Sequence, residues 1–228
     1  MTFPAYHKTE RNNLRIIGSL YLLATLSAIT GFTYFGGALS GDYLDSIYDN
    51  RSQLIIGTLF QLVNDAAVVA IGVIFFRVLS PYHKTVGVWI LATRIIEAVT
   101  LMVGKIGLLS LIPIGRSYAE SEQPNAIVFD TLGAIAKDWH ANSFSIAMIA
   151  LGFGGLLLSF LLWRKKLVPV VFPILGLIAY TMLVGNSLVS LFGSNESTIG
   201  FLGAALFELV FPLWIIFKGF NKTEIADV

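Results

Sequence analysis

Five ionisable residues lie inside long apolar stretches of this 228-residue chain, where charged side chains are rare. They are Asp65, Arg94, Glu97, Lys105 and Glu208. An ionisable group at the centre of a lipid bilayer costs about 2.5 kcal/mol or more, so such residues usually mark a binding site, a proton relay or an ion pathway. The alternative is purely architectural, because buried polar groups also hold membrane helices together.

The spacing of these residues indicates shared helix faces. At about 100° per residue, Arg94, Glu97 and Lys105 fall on one stripe of one helix. Gln61 and Asp65 are four residues apart and share a face of the preceding helix. Polar faces avoid lipid, so we predict one buried polar cluster that binds a ligand or forms a pathway. Its predicted members are Gln61, Asn64, Asp65, Arg94, Glu97, Lys105, Asn186 and Glu208.

Charge balance refines this hypothesis. The five ionisable residues comprise two basic and three acidic side chains. The surplus carboxyl group is expected to be protonated, or to hold a cation or a cationic ligand. For Lys105 alone, we favour a side chain that extends toward the outer membrane interface. For His140, an interfacial hydrogen-bonding role is favoured over metal binding.

Composition explains which solvent surrounds these residues. Only 13% of the residues are charged and 56% are hydrophobic, whereas soluble domains have about 25% charged residues. Most of the surface must therefore face lipid, and backbone groups in lipid have to be hydrogen-bonded within the segment. We predict an all-α integral membrane bundle that forms a single domain.

Six stretches are long and apolar enough to cross the bilayer as helices. They are residues 16–37, 53–78, 85–113, 140–163, 168–191 and 199–218. Between the second and third spans, Ser80-Pro81 predicts a tight connection, because proline and the residue before it stop a helix. The outer loop 114–139 is predicted to be partly helical, since apolar residues recur at helical spacing over 125–137. That segment either lies on the membrane surface or extends the fourth span, and we favour the extension.

The distribution of basic residues predicts the orientation. With six spans, one side of the membrane receives Lys8, Arg11, Arg15, Arg77, Lys84, Arg164, Lys165, Lys166, Lys218 and Lys222. The other side receives only Arg51, Arg116 and Lys137. Lysine and arginine near helix ends stay in the cytoplasm. Both termini are therefore predicted to be cytoplasmic.

Several classes of chemistry lack the residues they require. The chain has no cysteine and only three histidines, so thiolate chemistry is excluded and a multi-histidine metal site is poorly supported. Phosphate-binding glycine loops, metalloprotease helices and nucleophile elbows are missing from the sequence. A net charge of +1 gives no reason to expect nucleic acid as a partner. We expect no cofactor and no metal, and we favour a protein that is not an enzyme while leaving an enzymatic role open.

The order of several short motifs resembles one family of bacterial multi-pass membrane proteins, known only as domain of unknown function four-three-eight-six. The similar stretches are 15–22 (RIIGSLYL), 50–54 (NRSQL), 94–98 (RIIEA), 167–169 (LVP), 176–178 (GLI), 207–209 (FEL), Trp214 and 218–220 (KGF). Asn64 and the pair Arg94 and Glu97 match the family's pattern, whereas Asp65 replaces an apolar residue. The resemblance implies a bacterial plasma membrane and supplies no activity.

Three functional hypotheses remain open from the sequence. We favour a membrane protein that binds or conducts a small solute or a proton through a charged central cavity. The second hypothesis is a non-catalytic accessory or sensor protein that acts through its outer loops. The third is an intramembrane enzyme with a lipid-soluble substrate, in which Asp65, Glu97 or Glu208 serves as acid or base. The lipid bilayer is the only definite partner, and the oligomeric state is left open.

Overall fold

A computed structural model describes residues 3–121, 125–193 and 198–221, with side chains for 9–121, 125–193 and 200–221. The described regular structure is entirely helical, which confirms the predicted all-α fold. The helices are α1 (Phe3–Ala38), α2 (Tyr43–Ser46), α3 (Arg51–Glu120), α4 (Ala126–Arg164), α5 (Val171–Leu191) and α6 (Thr198–Phe217). Within the described ranges, all of them except the four-residue α2 are long and apolar enough to cross a membrane.

Helix α3 is a hairpin of two antiparallel arms. Its backbone leaves the helical conformation at His83, where φ is −168° and ψ is 95°. A Cβ atom on Gly72 would lie 2.9 Å from the Cβ atom of Arg94, and Asp65 contacts Lys105. In both contacts, one residue precedes His83 and the other follows it at a similar separation. The second arm (84–120) therefore runs back along the first (51–82). The long helices therefore supply the six predicted spans.

One end of the bundle carries both described chain ends, and we call it the termini end. The Tyr82 hydroxyl donates a hydrogen bond to Glu10 Oε1 at 2.7 Å. The Asn221 backbone amide donates to the Leu167 carbonyl at 2.7 Å. These contacts place the start of α1, the turn of α3, the α4–α5 connection and the end of α6 together. The cytoplasmic location of this end stays a prediction.

The opposite end, which we call the far end, has its own small core. Its buried residues come from α1, both arms of α3, the segment after α2, and α4: Phe35, Ala38, Ile47, Leu54, Leu108, Leu111 and Ala136. Helix α4 runs without a break through residues 126–164, as the favoured extension of the fourth span predicted. At 1.5 Å per residue it is about 58 Å long, against about 31 Å for α5. The α4 helix therefore continues beyond α5 at the far end.

The contact between α4 and α5 depends on Gly155, because a Cβ atom there would overlap the ring of the fully buried Tyr180. We expect Gly155→Ala to destabilise the protein by about 1–3 kcal/mol, the usual cost of forcing extra atoms into a packed core. The measurement is the Tm of the purified protein in detergent. Gly185→Ala is the matched control, since nothing lies within 4 Å of its Cβ position. Equal melting temperatures for the two variants would contradict the packing role.

Candidate functional site

Arg94 is the centre of the largest polar cluster in the bundle interior. It lies on the second arm of α3 and is 5% exposed. Its Nη1 donates to Glu97 Oε2 at 3.0 Å and to Oε1 at 3.4 Å. Its Nη2 donates to the Tyr21 hydroxyl at 2.6 Å and to Glu208 Oε1 at 3.2 Å. One guanidinium group thus joins α1, α3 and α6.

Glu208 is the member of this cluster that is accessible from outside the core. Its side chain is 20% exposed, whereas those of Arg94 and Glu97 are 6% and 4% exposed. The Tyr180 hydroxyl donates to the same Oε1 that Arg94 contacts, at 3.2 Å, and so adds α5 to the cluster. We call Arg94, Glu97, Glu208, Tyr21 and Tyr180 the central cluster.

A second charged group is separate and sealed. Lys105 Nζ donates to Asp65 Oδ2 at 2.7 Å and links the two arms of α3, and Asn64 Nδ2 donates to Asp65 Oδ1 at 3.2 Å. Asp65 is 0% exposed and Lys105 is 3% exposed. The expectation that Lys105 extends to the outer interface is therefore wrong. A carboxylate on the neighbouring arm is within reach, and pairing with it satisfies the ammonium group without a path to water.

A cavity of about 270 Å³ adjoins the central cluster. Residues from α1, both arms of α3, α4 and α6 line it: Tyr21, Ala24, Thr25, Ala28, Ile29, Phe32, Gln61, Asn64, Val68, Ile71, Arg94, Glu97, Leu101, Phe144, Met148, Leu151, Ala205, Glu208 and Leu209. The walls are mostly apolar, and the polar groups are concentrated at the central cluster. This combination is typical of small-molecule sites.

The cavity opens sideways, between α1 and α6. Its four exposed lining residues all lie on these two helices: Ile29, Phe32, Ala205 and Leu209. Nearer the termini end, α1 and α6 are in close contact, because a Cβ atom on Gly18 would lie 2.8 Å from the Pro212 carbonyl oxygen. The exposed lining residues lie beyond that contact on both helices, and those of α6 are at its middle.

Apolar layers close the cavity in the other directions. Toward the termini end, Ile17, Phe75 and Phe211 are each 0% exposed. Toward the far end, the Phe144 ring packs against Phe32 and Phe201, with ring centroids 5.8 and 5.7 Å apart. The exposed side of the cavity is therefore the one between α1 and α6.

A family model described as Domain of unknown function (DUF4386) matches residues 16–219. The chain belongs to the DUF4386 family. The match confirms the resemblance seen in the sequence and covers every element that lines the cavity. No curated protein and no solved structure matches the chain. With its long apolar helices, this DUF4386 member is a multi-pass membrane protein.

The remaining predicted site residues of the DUF4386 chain lie in three different surroundings. Gln61 lines the cavity, and its Nε2 donates to the Ala28 carbonyl at 3.0 Å, which ties α3 to α1. Asn186 packs against Gly200 on α6 and does not line the cavity. His140 packs edge-on against Phe35, and its Nδ1 is buried with no hydrogen bond within the described residues. The interfacial role suggested for His140 stays a prediction.

Two tyrosines that were not predicted as site residues complete the central cluster. Tyr21 and Tyr180 are 3% and 0% exposed. Tyrosine in a membrane helix usually sits at the lipid–water interface, where its hydroxyl meets water. These two lie well inside their helices, and a buried tyrosine hydroxyl needs a hydrogen-bond partner. The position of these tyrosines deep in their helices was therefore the feature of the sequence that indicated a buried hydrogen bond.

The arrangement limits the chemistry that the DUF4386 site can perform. Over the described residues, no group of three or more histidine, aspartate or glutamate side chains is placed to hold a metal ion. Both Glu97 oxygens accept bonds from Arg94, so Glu97 is committed to the protein. Glu208 keeps Oε2 without a hydrogen bond in the described structure. It is the carboxylate available to a bound molecule.

Proposed function

We propose that this DUF4386 protein binds a small, largely apolar molecule in the cavity at the middle of the membrane. The molecule enters from the lipid phase between α1 and α6, and its polar group contacts Glu208. The observation that carries this proposal is the cavity of about 270 Å³, whose exposed lining residues all lie on α1 and α6. Apolar walls with a few convergent polar groups favour such ligands.

Binding is favoured over conduction of a solute or a proton. A conducting pathway needs polar groups or water on both sides of the central cluster. Here the layer formed by Ile17, Phe75 and Phe211 lies on the side of the termini end. Asp65 and Lys105 form an ion pair with each other. These features support a pocket with one lateral opening.

The proposed location is the bacterial plasma membrane, with the termini end in the cytoplasm. The basic residues of the connections support this orientation, because Arg77, Lys84 and the basic segment 164–166 all lie near the termini end. The bacterial plasma membrane follows from the family resemblance in the sequence.

Photolabelling with a lipid-soluble alkyl diazirine tests the cavity. The protein is placed in lipid nanodiscs and illuminated, and modified residues are mapped by mass spectrometry. We expect modification of Met148 and Leu151, which are 9% and 5% exposed and line the cavity. Leu158 and Leu162 are the matched controls, because they are buried on the same helix and do not line it.

A variant that obstructs the opening makes the test specific. Ala205→Trp places a large ring in the gap between α1 and α6 and is expected to abolish the labelling of Met148. Ala66→Trp changes an exposed alanine on α3 that does not line the cavity and should leave the labelling unchanged. Equal labelling of Leu158 and Met148, or full labelling of Met148 in Ala205→Trp, would overturn the proposed function.

A further inference from the structure

Several hydrogen-bond acceptors around the cavity are uncommitted. Among the described residues, three lining residues each keep an oxygen without a hydrogen bond: Gln61 Oε1, Asn64 Oδ1 and Glu208 Oε2. Both amide orientations are determined by their partners. The Ala28 carbonyl and the Asp65 carboxylate can only accept, so each amide must present its nitrogen to them. Each amide oxygen is then left for another donor.

Several donors around the cavity are already in use, although the Tyr21 and Thr25 hydroxyl groups and one N–H of each amide have no acceptor among the described residues. Both terminal nitrogens of Arg94 already donate to protein oxygens. Gln61 Nε2 and Asn64 Nδ2 each donate one bond as well. A ligand that offers only acceptors would therefore leave the free oxygens unsatisfied, and unsatisfied buried polar groups are costly. A ligand that donates hydrogen bonds would satisfy them.

The charges around the cavity point in the same direction. The central cluster contains one guanidinium group and two carboxyl groups. Lys105 cannot offset the surplus carboxyl group, because it is paired with Asp65. With both carboxyl groups ionised the central cluster carries one net negative charge, which repels an anion and attracts a cation.

The size and walls of the cavity favour an organic cation over an inorganic one. The volume of about 270 Å³ far exceeds that of a bare ion. Phe32 and Phe144 add aromatic rings to the mostly apolar lining, which suits the hydrocarbon part of an organic cation. A ligand with an apolar body and one amine group matches the apolar walls of the cavity, its free acceptors and the negative charge of the central cluster.

We propose, as an extension of the proposed function on which it rests, that the ligand is a small apolar amine held as its ammonium ion by Glu208, Gln61 and Asn64. The ammonium N–H groups donate to the oxygens of these three side chains, and the positive charge offsets the surplus carboxylate of the central cluster.

Three matched probes test the charge preference: 3-phenylpropylamine, 3-phenylpropan-1-ol and 3-phenylpropionate. Each is titrated calorimetrically into protein in lipid nanodiscs, and the signal of empty nanodiscs is subtracted. We expect the amine to bind at least about tenfold more tightly than the alcohol, since hydrogen bonds between charged partners are about twice as strong as neutral ones. The carboxylate probe should not bind measurably.

Glu208→Gln removes the negative charge of Glu208 while leaving Arg94 paired with Glu97. In this variant the amine should lose its advantage over the alcohol. Glu120→Gln is the control, because Glu120 is exposed at the far end and pairs only with Arg116 among the described residues. A sodium chloride series at constant ionic strength shows whether an inorganic cation competes with the amine.

The outcomes separate the inference from the proposed function. Equal binding of amine and alcohol, both lost in Ala205→Trp, would overturn the amine assignment and leave the cavity as a binding site. An amine preference that persists in Glu208→Gln would also overturn the assignment. Absence of binding by all three probes, together with unlabelled Met148, would overturn both the assignment and the proposed function.

Discussion

Replacing Arg94 by glutamine is expected to destabilise the protein by about 3–5 kcal/mol, because it leaves Glu97 and Glu208 without a cation in the interior. It also removes the donors to both carboxylates and to the Tyr21 hydroxyl. The measurement is the free energy of unfolding in bicelles, obtained by steric trapping, with Tm in detergent as a second measure.

The carboxylate variants Glu97→Gln and Glu208→Gln provide the matched comparison for Arg94→Gln. Each leaves one carboxyl group for one guanidinium group, so each should cost clearly less than Arg94→Gln. The smaller loss in the carboxylate variants follows from the surplus of carboxyl groups over guanidinium groups in the central cluster. Packing alone would not produce this difference. A loss in Glu97→Gln as large as that in Arg94→Gln would contradict the proposed charge balance.

Lys105→Met is the second substitution with a large expected effect, again about 3–5 kcal/mol. It leaves Asp65, which is 0% exposed, with Asn64 as its only hydrogen-bonding partner among the described residues. The unfolding free energy should largely recover in the double variant Asp65→Leu/Lys105→Met, because buried ion pairs replaced by apolar residues are often neutral or stabilising.

A double-mutant cycle on Asp65 and Lys105 isolates the pair from other effects. The cycle consists of wild type, Asp65→Leu, Lys105→Met and the double variant, all measured under one condition. Non-additivity of a few kcal/mol is expected. A double variant no more stable than Lys105→Met would show that the loss comes from packing of the lysine side chain and not from the uncompensated carboxylate.

The helices were predictable because lipid leaves the backbone few alternatives. Apolar stretches of about 20 residues must hydrogen-bond internally, and Ser80-Pro81 marked the turn of the α3 hairpin. The pairing partner of Lys105 was harder to predict. It depends on how the two arms are rotated against each other, and the sequence of one arm does not contain that information. Asp65 was identified as a buried polar residue but not as the partner of Lys105.

The central cluster was predictable only in part. The spacing of Arg94 and Glu97 on one helix indicated their ion pair, and the depth of Glu208 indicated that it would join them. Tyr21 and Tyr180 were missed because their aromatic rings resemble ordinary apolar residues in a hydrophobic helix. Their depth indicated a buried hydrogen bond, but the partners of their hydroxyl groups became clear only when the neighbouring helices were in place.

The shape of the central cavity and the side on which it opens could not have been predicted from residue types. The exposed lining residues lie beyond the contact of α1 and α6 near Gly18, and Phe32 and Phe144 pack against each other on the far side. The position of such an opening depends on the sizes of many contacting side chains at once. The residues that line the opening, such as Ile29 and Leu209, look like ordinary lipid-facing residues in the sequence.

The abrupt reversal at His83 has a consequence for how the protein enters its membrane during synthesis. The two arms of α3 are joined with almost no connecting loop, so they can leave the insertion machinery side by side as one unit. A lone aspartate or lysine costs about 2.5–3.5 kcal/mol at the centre of an inserting helix. Asp65 and Lys105, already in contact across the arms, would present lipid with a neutral pair. The same ion pair that satisfies both charges in the folded bundle would thereby lower the cost of inserting them into the membrane.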